Sequence, residues 1–233
     1  MSKTKVILIT GTSRGIGKYL AEYYCGKNFL AAGCSRSANT VSSANYIHFT
    51  ADVTDEVSVK KMFSEIRKSY GRLDILINNA GIASMNHALL TPLKTAENII
   101  RTNFTAPFLF CREAAKIMLK NKFGRIINLS SVAADINLEG EAVYAASKSA
   151  LVSFTKTFSK EISGYGITVN SIGLTPVKTG LVRNVPDEKM NELLGRLSIK
   201  RFADFSDISN VTDFLISEGS GFITGQNINL GGI

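Results

Sequence analysis

The stretch Thr10-Gly11-Thr12-Ser13-Arg14-Gly15-Ile16-Gly17 follows the apolar run Val6–Thr10 and leads into the helix-periodic segment Ile16–Gly26. Gly11 permits a tight turn at the end of a strand. Gly15 lets the backbone approach a pyrophosphate closely, and Gly17 lets the helix pack near the sheet. The free N–H groups and partial positive charge of a helix N-terminus favour phosphate. The spacing is Gly-x-x-x-Gly-x-Gly, not the more general Gly-x-Gly-x-x-Gly. A plain strand-to-helix turn has similar composition, so the nucleotide reading rests on the position directly after the first strand.

Outward from this turn, short apolar runs recur, each followed by a longer helical pattern. The runs are Val6–Thr10, Phe29–Cys34, Tyr46–Phe49, Leu73–Asn78, Gly124–Leu129, Ile167–Ile172 and Asn227–Leu230. Consecutive Ile, Val and Leu mark strands buried on both faces. The helical stretches are Ile16–Gly26, Glu56–Tyr70, Thr95–Lys120, Tyr144–Ser163 and Ser206–Ser217. This alternation predicts an α/β fold, a doubly wound parallel sheet of about seven strands with helices on both faces. Gly26 and Gly71 stand where left-handed helix caps are expected. Pro92, Pro107, Pro176 and Pro186 mark no boundary, so residues 1–233 read as one domain. The segment 175–200 is the least strand-like and is expected to be a substrate lid.

The chain has 233 residues, 45% of them apolar and 20% charged, with 19 Gly. Collagen-like, disordered and disulfide-scaffold classes are excluded by that composition. Cys25, Cys34 and Cys111 are too few and too scattered for a disulfide framework or a zinc site, and a reduced cytoplasmic setting is the simpler expectation. No run of about 18 apolar residues predicts a membrane span. Val6–Ile9 is shorter than a signal-peptide core of about 7–15 residues. The net charge of +8 is spread along the chain without a basic run, so neither nucleic acid nor membrane is an expected partner.

Dinucleotide folds that prefer NAD place an acid about 20 residues beyond the turn, on the ribose 2′-OH. Here that region reads Cys34-Ser35-Arg36-Ser37, and no Asp or Glu occurs between Glu22 and Asp52. Arg36 stands where a guanidinium meets a 2′-phosphate, and Arg14 is near enough in sequence to join it. The expected cofactor is therefore NADP(H). Ser13, Ile16 and Ser35 complete the cofactor-binding set around Gly11, Arg14, Gly15, Gly17 and Arg36. Solvated surface arginines would read the same way.

The segment Tyr144-Ala145-Ala146-Ser147-Lys148 carries the chemistry. On a helix, residues four apart share a face. An adjacent ammonium favours the phenolate and brings down a pKa ordinarily near 10. A Tyr tuned in this way can exchange a proton with a carbonyl or alcohol oxygen. Asn78-Asn79-Ala80-Gly81, Asn103, Ser131 and this Tyr-x-x-x-Lys appear in one order, with Ser131 thirteen residues before Tyr144. Together with Thr10–Gly17, these motifs resemble the short-chain dehydrogenase/reductase family over almost the whole chain. Ile223-Thr224-Gly225-Gln226 with Leu230-Gly231-Gly232 resembles its 3-oxoacyl-[acyl-carrier-protein] reductase branch.

The resemblance implies a Rossmann-type domain and an NADPH-dependent reduction of a ketone or aldehyde. Tyr144 would be the general acid/base. Lys148 would bind the nicotinamide ribose and lower the Tyr144 pKa, and Ser131 would hydrogen-bond the substrate oxygen. Asn103 would hold a water linking Lys148 to solvent. Asp52 and Val53 would receive the adenine, where a cap on Glu56–Tyr70 is the competing reading of Asp52. Asn79, Ala80 and Gly81 would shape the adenosine-side wall and brace the sheet. Val177 and Thr179 would meet the nicotinamide. No metal is implied, and His48 and His87 read as packing or surface residues.

Two departures bear on this. After Asn170-Ser171-Ile172, Leu174-Thr175 stand where the family has Pro-Gly, and Pro176 follows. Tyr165 stands where the carrier-protein branch often has Arg, while Lys122 keeps one cation. A sugar or other small diffusible carbonyl compound is therefore the alternative substrate, and a non-catalytic NADP-binding regulator the alternative class. The resemblance also implies a homo-oligomer, a tetramer or dimer pairing Thr95–Lys120, Tyr144–Ser163 and the tail.

Overall fold

The computed structural model describes residues 4–180 and 185–233. Seven strands, β1 (Val6–Thr10), β2 (Leu30–Ser35), β3 (Tyr46–Thr50), β4 (Ile75–Asn78), β5 (Gly124–Ser131), β6 (Ile167–Leu174) and β7 (Asn227–Asn229), form one sheet. Its order is β3-β2-β1-β4-β5-β6-β7, and every pairing is parallel. The chain winds outward from β1 in both directions. The strand order therefore reverses between β1 and β4, and a crevice opens at their C-terminal ends.

Burial on both faces follows from alternation along each strand. Val6 and Leu8 of β1 face one core, with Val59, Met62, Phe63 and Ile66 of α2 (Glu56–Tyr70). Phe110, Ala114 and Met118 of α4 (Ala106–Asn121) join that core. Ile7 and Ile9 face the other core, with Leu20, Ala21 and Tyr24 of α1 (Gly15–Gly26) and Leu215 of α8 (Phe205–Ile216). Each fully buried Ile, Leu or Phe contributes about 1.5–3 kcal/mol. The expected α/β fold with helices on both faces is what the chain adopts.

Several local expectations are corrected. Thr95–Lys120 is not one helix. It is α3 (Leu93–Ile100), a π-helical stretch Arg101–Thr105, and α4. Periodicity alone does not reveal an extra residue in one turn. Gly71 caps α2 at φ 67° as expected, but Gly26 lies within α1, and Asn28 takes the left-handed conformation there at φ 62°. Asp52 does not cap α2. Asp55 does, accepting from the N–H groups of Val57 and Ser58, while Asp52 Oδ1 accepts from Thr54 N at 2.8 Å and closes a local turn. The expected lid segment, 175–200, contains a helix, α7 (Asp187–Arg196), with Met190 buried. Residues 181–184 lie outside the described residues.

Candidate active site

The glycine turn closes on the neighbouring strands. Gly11 N and Thr12 N both donate to Cys34 O, at 2.8 and 3.2 Å. Gly11 and Gly15 have φ of +75° and +59°, a region that favours glycine. A Cβ on Gly17 would lie 2.2 Å from Gly11 O. Gly17 thus lets α1 seat against the turn itself rather than against the sheet, as the sequence suggested. Asn79 and Ala80 brace this turn across the switch point. Their N–H groups both donate to Thr10 Oγ1 at 2.9 Å, and Asn79 Nδ2 donates to Thr10 O at 2.7 Å. The bare backbone of the turn and the N-terminus of α1 form a cradle that fits a pyrophosphate.

Arg14, in the turn before α1, and Arg36, just beyond β2, are both exposed. Ser35, at the end of β2, is buried, and its Oγ donates to Ser37 O at 2.9 Å. A relay that sequence reasoning missed lies beneath. Thr12 Oγ1 meets Tyr46 OH at 2.7 Å, Tyr46 OH meets His48 Nδ1 at 3.0 Å, and His48 Nε2 meets Ser37 O at 3.1 Å. A carbonyl only accepts, so Nε2 carries the hydrogen and Nδ1 accepts from Tyr46, which in turn accepts from Thr12. The alternation Tyr46-x-His48 on β3 was the available signal. His48 is therefore a structural partner of the Ser35–Ser37 turn, within the packing role expected of it. Asp52 and Val53 follow β3, with Val53 buried in the core beside α2.

At the C-terminal end of β5, four predicted residues converge. Tyr144 and Lys148 lie one turn apart on α6 (Ala142–Ile162). Ser131 acts on the Tyr144 phenol, and Ser131 Oγ accepts from Ala133 N at 3.2 Å, at the start of the short helix α5 (Ala133–Ile136). Lys148 is buried, with Nζ donating to Leu129 O at 2.8 Å and 5.9 Å from the centre of the Tyr144 ring. Burial pushes the Tyr144 phenol up to about 12, against the lowering effect of Ser131. Burial likewise holds the Lys148 ammonium down to about 8. The expected lowering of the Tyr144 pKa by Lys148 is thus not found. Desolvation of the phenolate outweighs any attraction.

Asn103 sits fully buried in the π-helical stretch. Its Oδ1 accepts from Ile82 N and its Nδ2 donates to Ile82 O, both at 2.9 Å. Nδ2 also donates to Ser147 Oγ at 3.0 Å, and Ser147 Oγ donates to Tyr144 O at 2.6 Å. Ser147 was not anticipated, although it lies inside the Tyr-x-x-x-Lys segment. It ties Asn103 to the helix turn bearing Tyr144. A Cβ on Gly81 would lie 3.3 Å from Asn103 Oδ1 and 3.6 Å from Lys148 Nζ, so glycine keeps a bare floor beside the lysine. Val177 is buried and bridges to Ala203. Thr179 lies over the phosphate turn, its Cγ2 3.7 Å from where a Cβ on Gly15 would stand. The Leu174-Thr175-Pro176 departure leaves this loop folded back over the cradle.

A family model described as short chain dehydrogenase matches residues 5–190. The chain belongs to that family. A short-chain dehydrogenase is an oxidoreductase acting on CH–OH or C=O groups. The 3-oxoacyl-[acyl-carrier-protein] reductase FabG of Buchnera aphidicola subsp. Baizongia pistaciae is 35% identical over 98% of this chain and 96% of that protein. The same enzyme of Escherichia coli K12 is 33% identical, with the same two shares. Among solved structures, ElxO with NADP bound superposes with a TM-score of 0.89 at 27% identity, covering 97% of each chain. A 4-hydroxyisoleucine dehydrogenase complexed with NADH gives 0.88 at 29% identity, covering 98% of each chain. No helix among the described residues is long and apolar enough to cross a membrane.

Proposed function

We propose that this short-chain dehydrogenase reduces a ketone or aldehyde with NADPH, with Tyr144 giving the proton. The observation that carries the reading is the gathering of Ser131, Tyr144 and buried Lys148 at the crevice end of β5, with Lys148 Nζ 5.9 Å from the centre of the Tyr144 ring. Bound NADPH supplies the hydride. Ser131 and Tyr144 would both donate to the carbonyl oxygen and stabilise the charge developing there. With its phenol pushed up to about 12, Tyr144 is protonated at neutral pH. That is the form a reduction needs. Lys148 would hold the nicotinamide ribose, and Asn103 would fix the turn that aims Tyr144. Arg36 and Arg14 would face the 2′-phosphate, and the NADP-bound relative supports that preference. The segment around α7 would serve as the lid.

The FabG relatives support a 3-oxoacyl group on an acyl carrier protein as substrate. A second reading, a small diffusible carbonyl compound, is favoured by Tyr165. It is exposed at the surface where a cation would capture an acidic carrier. Exposed Phe108 on α4, packed edge-on to Phe154 of α6, supports pairing of those helices between copies. The test is NADPH oxidation, followed by absorbance, against a carbonyl panel for the wild type and Tyr144→Phe. The variant should lose at least about a thousandfold in kcat, within the range of acid–base effects, while NADPH affinity changes little. Turnover by Tyr144→Phe near the wild-type rate would overturn the reading.

A further inference from the structure

Glu141 opens α6, one turn before Tyr144, so the two side chains share a helix face. Its position at the helix start suggests a capping role, yet its side chain makes no cap hydrogen bond. Oxygen Oε2 is buried without a hydrogen-bond partner, the only such side-chain atom among the described residues. The carboxylate acts electrostatically on the Tyr144 phenol on one side. On the other it feels Lys189 of α7, and burial raises its pKa while Lys189 opposes the rise. Among the described residues no ion pair within 4.0 Å joins Glu141 to Lys189 or to any other cation. Lys189 Nζ instead lies 3.3 Å from where a Cβ on Gly140 would stand, with Met85 Cγ at 3.5 Å. Glu141 thus sits between the phenol that would meet the reacting oxygen and the helix that covers the loop before α6.

Buried acceptors without partners are rare, because desolvation is then uncompensated. A buried carboxylate oxygen one helical turn from Tyr144 can accept a donor that the substrate brings. It also rejects an apolar group there, since that group would leave it unpaired.

We propose that Glu141 is a substrate-binding residue, and that it selects carbonyl compounds carrying a hydrogen-bond donor, an ammonium or a hydroxyl, on the carbon next to the reacting carbonyl. This deepens the reductase reading and rests on it. A plain acyl chain offers no such donor, so the proposal also favours the small diffusible substrate.

The experiment compares aminoacetone, hydroxyacetone and butanone, which are near-isosteric, as substrates of the wild type, Glu141→Gln and Glu141→Leu with NADPH. Binding of NADPH, read by its fluorescence, checks that each variant is folded. The wild type should prefer at least one donor-bearing ketone over butanone by about tenfold in kcat/KM, as one charge-assisted hydrogen bond would give. Glu141→Leu should erase the preference. Glu141→Gln separates the sources: it erases a preference for aminoacetone and keeps part of one for hydroxyacetone. Equal kcat/KM for all three ketones in the wild type, or an unchanged preference in Glu141→Leu, overturns the proposal and leaves the reductase reading standing. If none is turned over, the reductase reading fails for these ketones and binding decides the proposal. Aminoacetone or hydroxyacetone must then raise the melting temperature of the NADPH-loaded wild type and not of Glu141→Leu; no shift overturns it.

Discussion

Replacing Gly17 by Ala tests the seating of α1 on the phosphate turn. A Cβ there lies 2.2 Å from Gly11 O, 2.4 Å from Asn79 Nδ2 and 2.8 Å from Gly11 C. Two of the three are backbone atoms, so no side-chain rotation relieves the clash. Restoring ordinary contact requires α1 and the turn to separate by about 1 Å. Overpacking of this kind costs about 1–3 kcal/mol. Displacing Asn79 weakens its bonds to Thr10 O and Gly11 O, each worth about 1 kcal/mol net. Removing a helical glycine returns about 0.5–1 kcal/mol. The net expectation is a loss of about 2–4 kcal/mol, with NADPH affinity falling at least about tenfold because the cradle opens. Gly26→Ala is the matched control. That residue is also in α1, has no positive φ, and has nothing within 4 Å of an added Cβ. It should gain about 0.4–1 kcal/mol. Urea unfolding measures both, and NADPH fluorescence titration measures affinity. A Gly17→Ala protein within about 0.5 kcal/mol of wild type, binding NADPH normally, would refute the reasoning.

Three further outcomes are expected. If Arg36 faces the 2′-phosphate as proposed, Arg36→Asp should weaken NADPH at least about tenfold more than NADH, because it puts a like charge beside that phosphate; equal losses in titration would remove Arg36 from the site. His48→Phe removes the ring that holds Ser37 O and the Ser35–Ser37 turn. It should raise the Kd for NADPH several-fold and that for NADH less, and an unchanged ratio would show the relay to be irrelevant to the 2′-phosphate. Lys148 is held down to about 8 by burial. The unfolded chain therefore binds the proton more tightly between about pH 8 and 10.4, and stability rises with pH across that window. The rise is about 3 kcal/mol, and Lys148→Met should lack it in urea midpoints measured across those pH values.

Much of the fold was legible because it rests on periodicity. Val6–Thr10 is apolar at every position, since Val6 and Leu8 face one core while Ile7 and Ile9 face the other. Ser131, Tyr144 and Lys148 were legible because spacing along one strand and one helix fixes their meeting. Other features arise from contacts distant in sequence. Asn103 is drawn to Ile82 and Ser147, and no local pattern announces the π-helical turn that this requires. The fate of the Tyr144 proton depends on burial, which the Lys148 spacing does not encode. The partners of His48 were not legible because Tyr46 and Ser37 come together around it only when β3 lies beside β2.

The stretch Arg101–Thr105 has a consequence for how this chain can vary. One surplus residue in a turn re-phases everything after it by about 100°, so Leu93–Ile100 and Ala106–Asn121 cannot be drawn on one helical wheel. Deleting a single residue there would smooth the helix. It would also rotate Phe110, Ala114 and Met118 off the sheet they now cover and withdraw Asn103 from Ser147. A single joint thus keeps time for both the hydrophobic layer and the helix that carries Tyr144, and length changes at 101–105 are inherited by both or by neither.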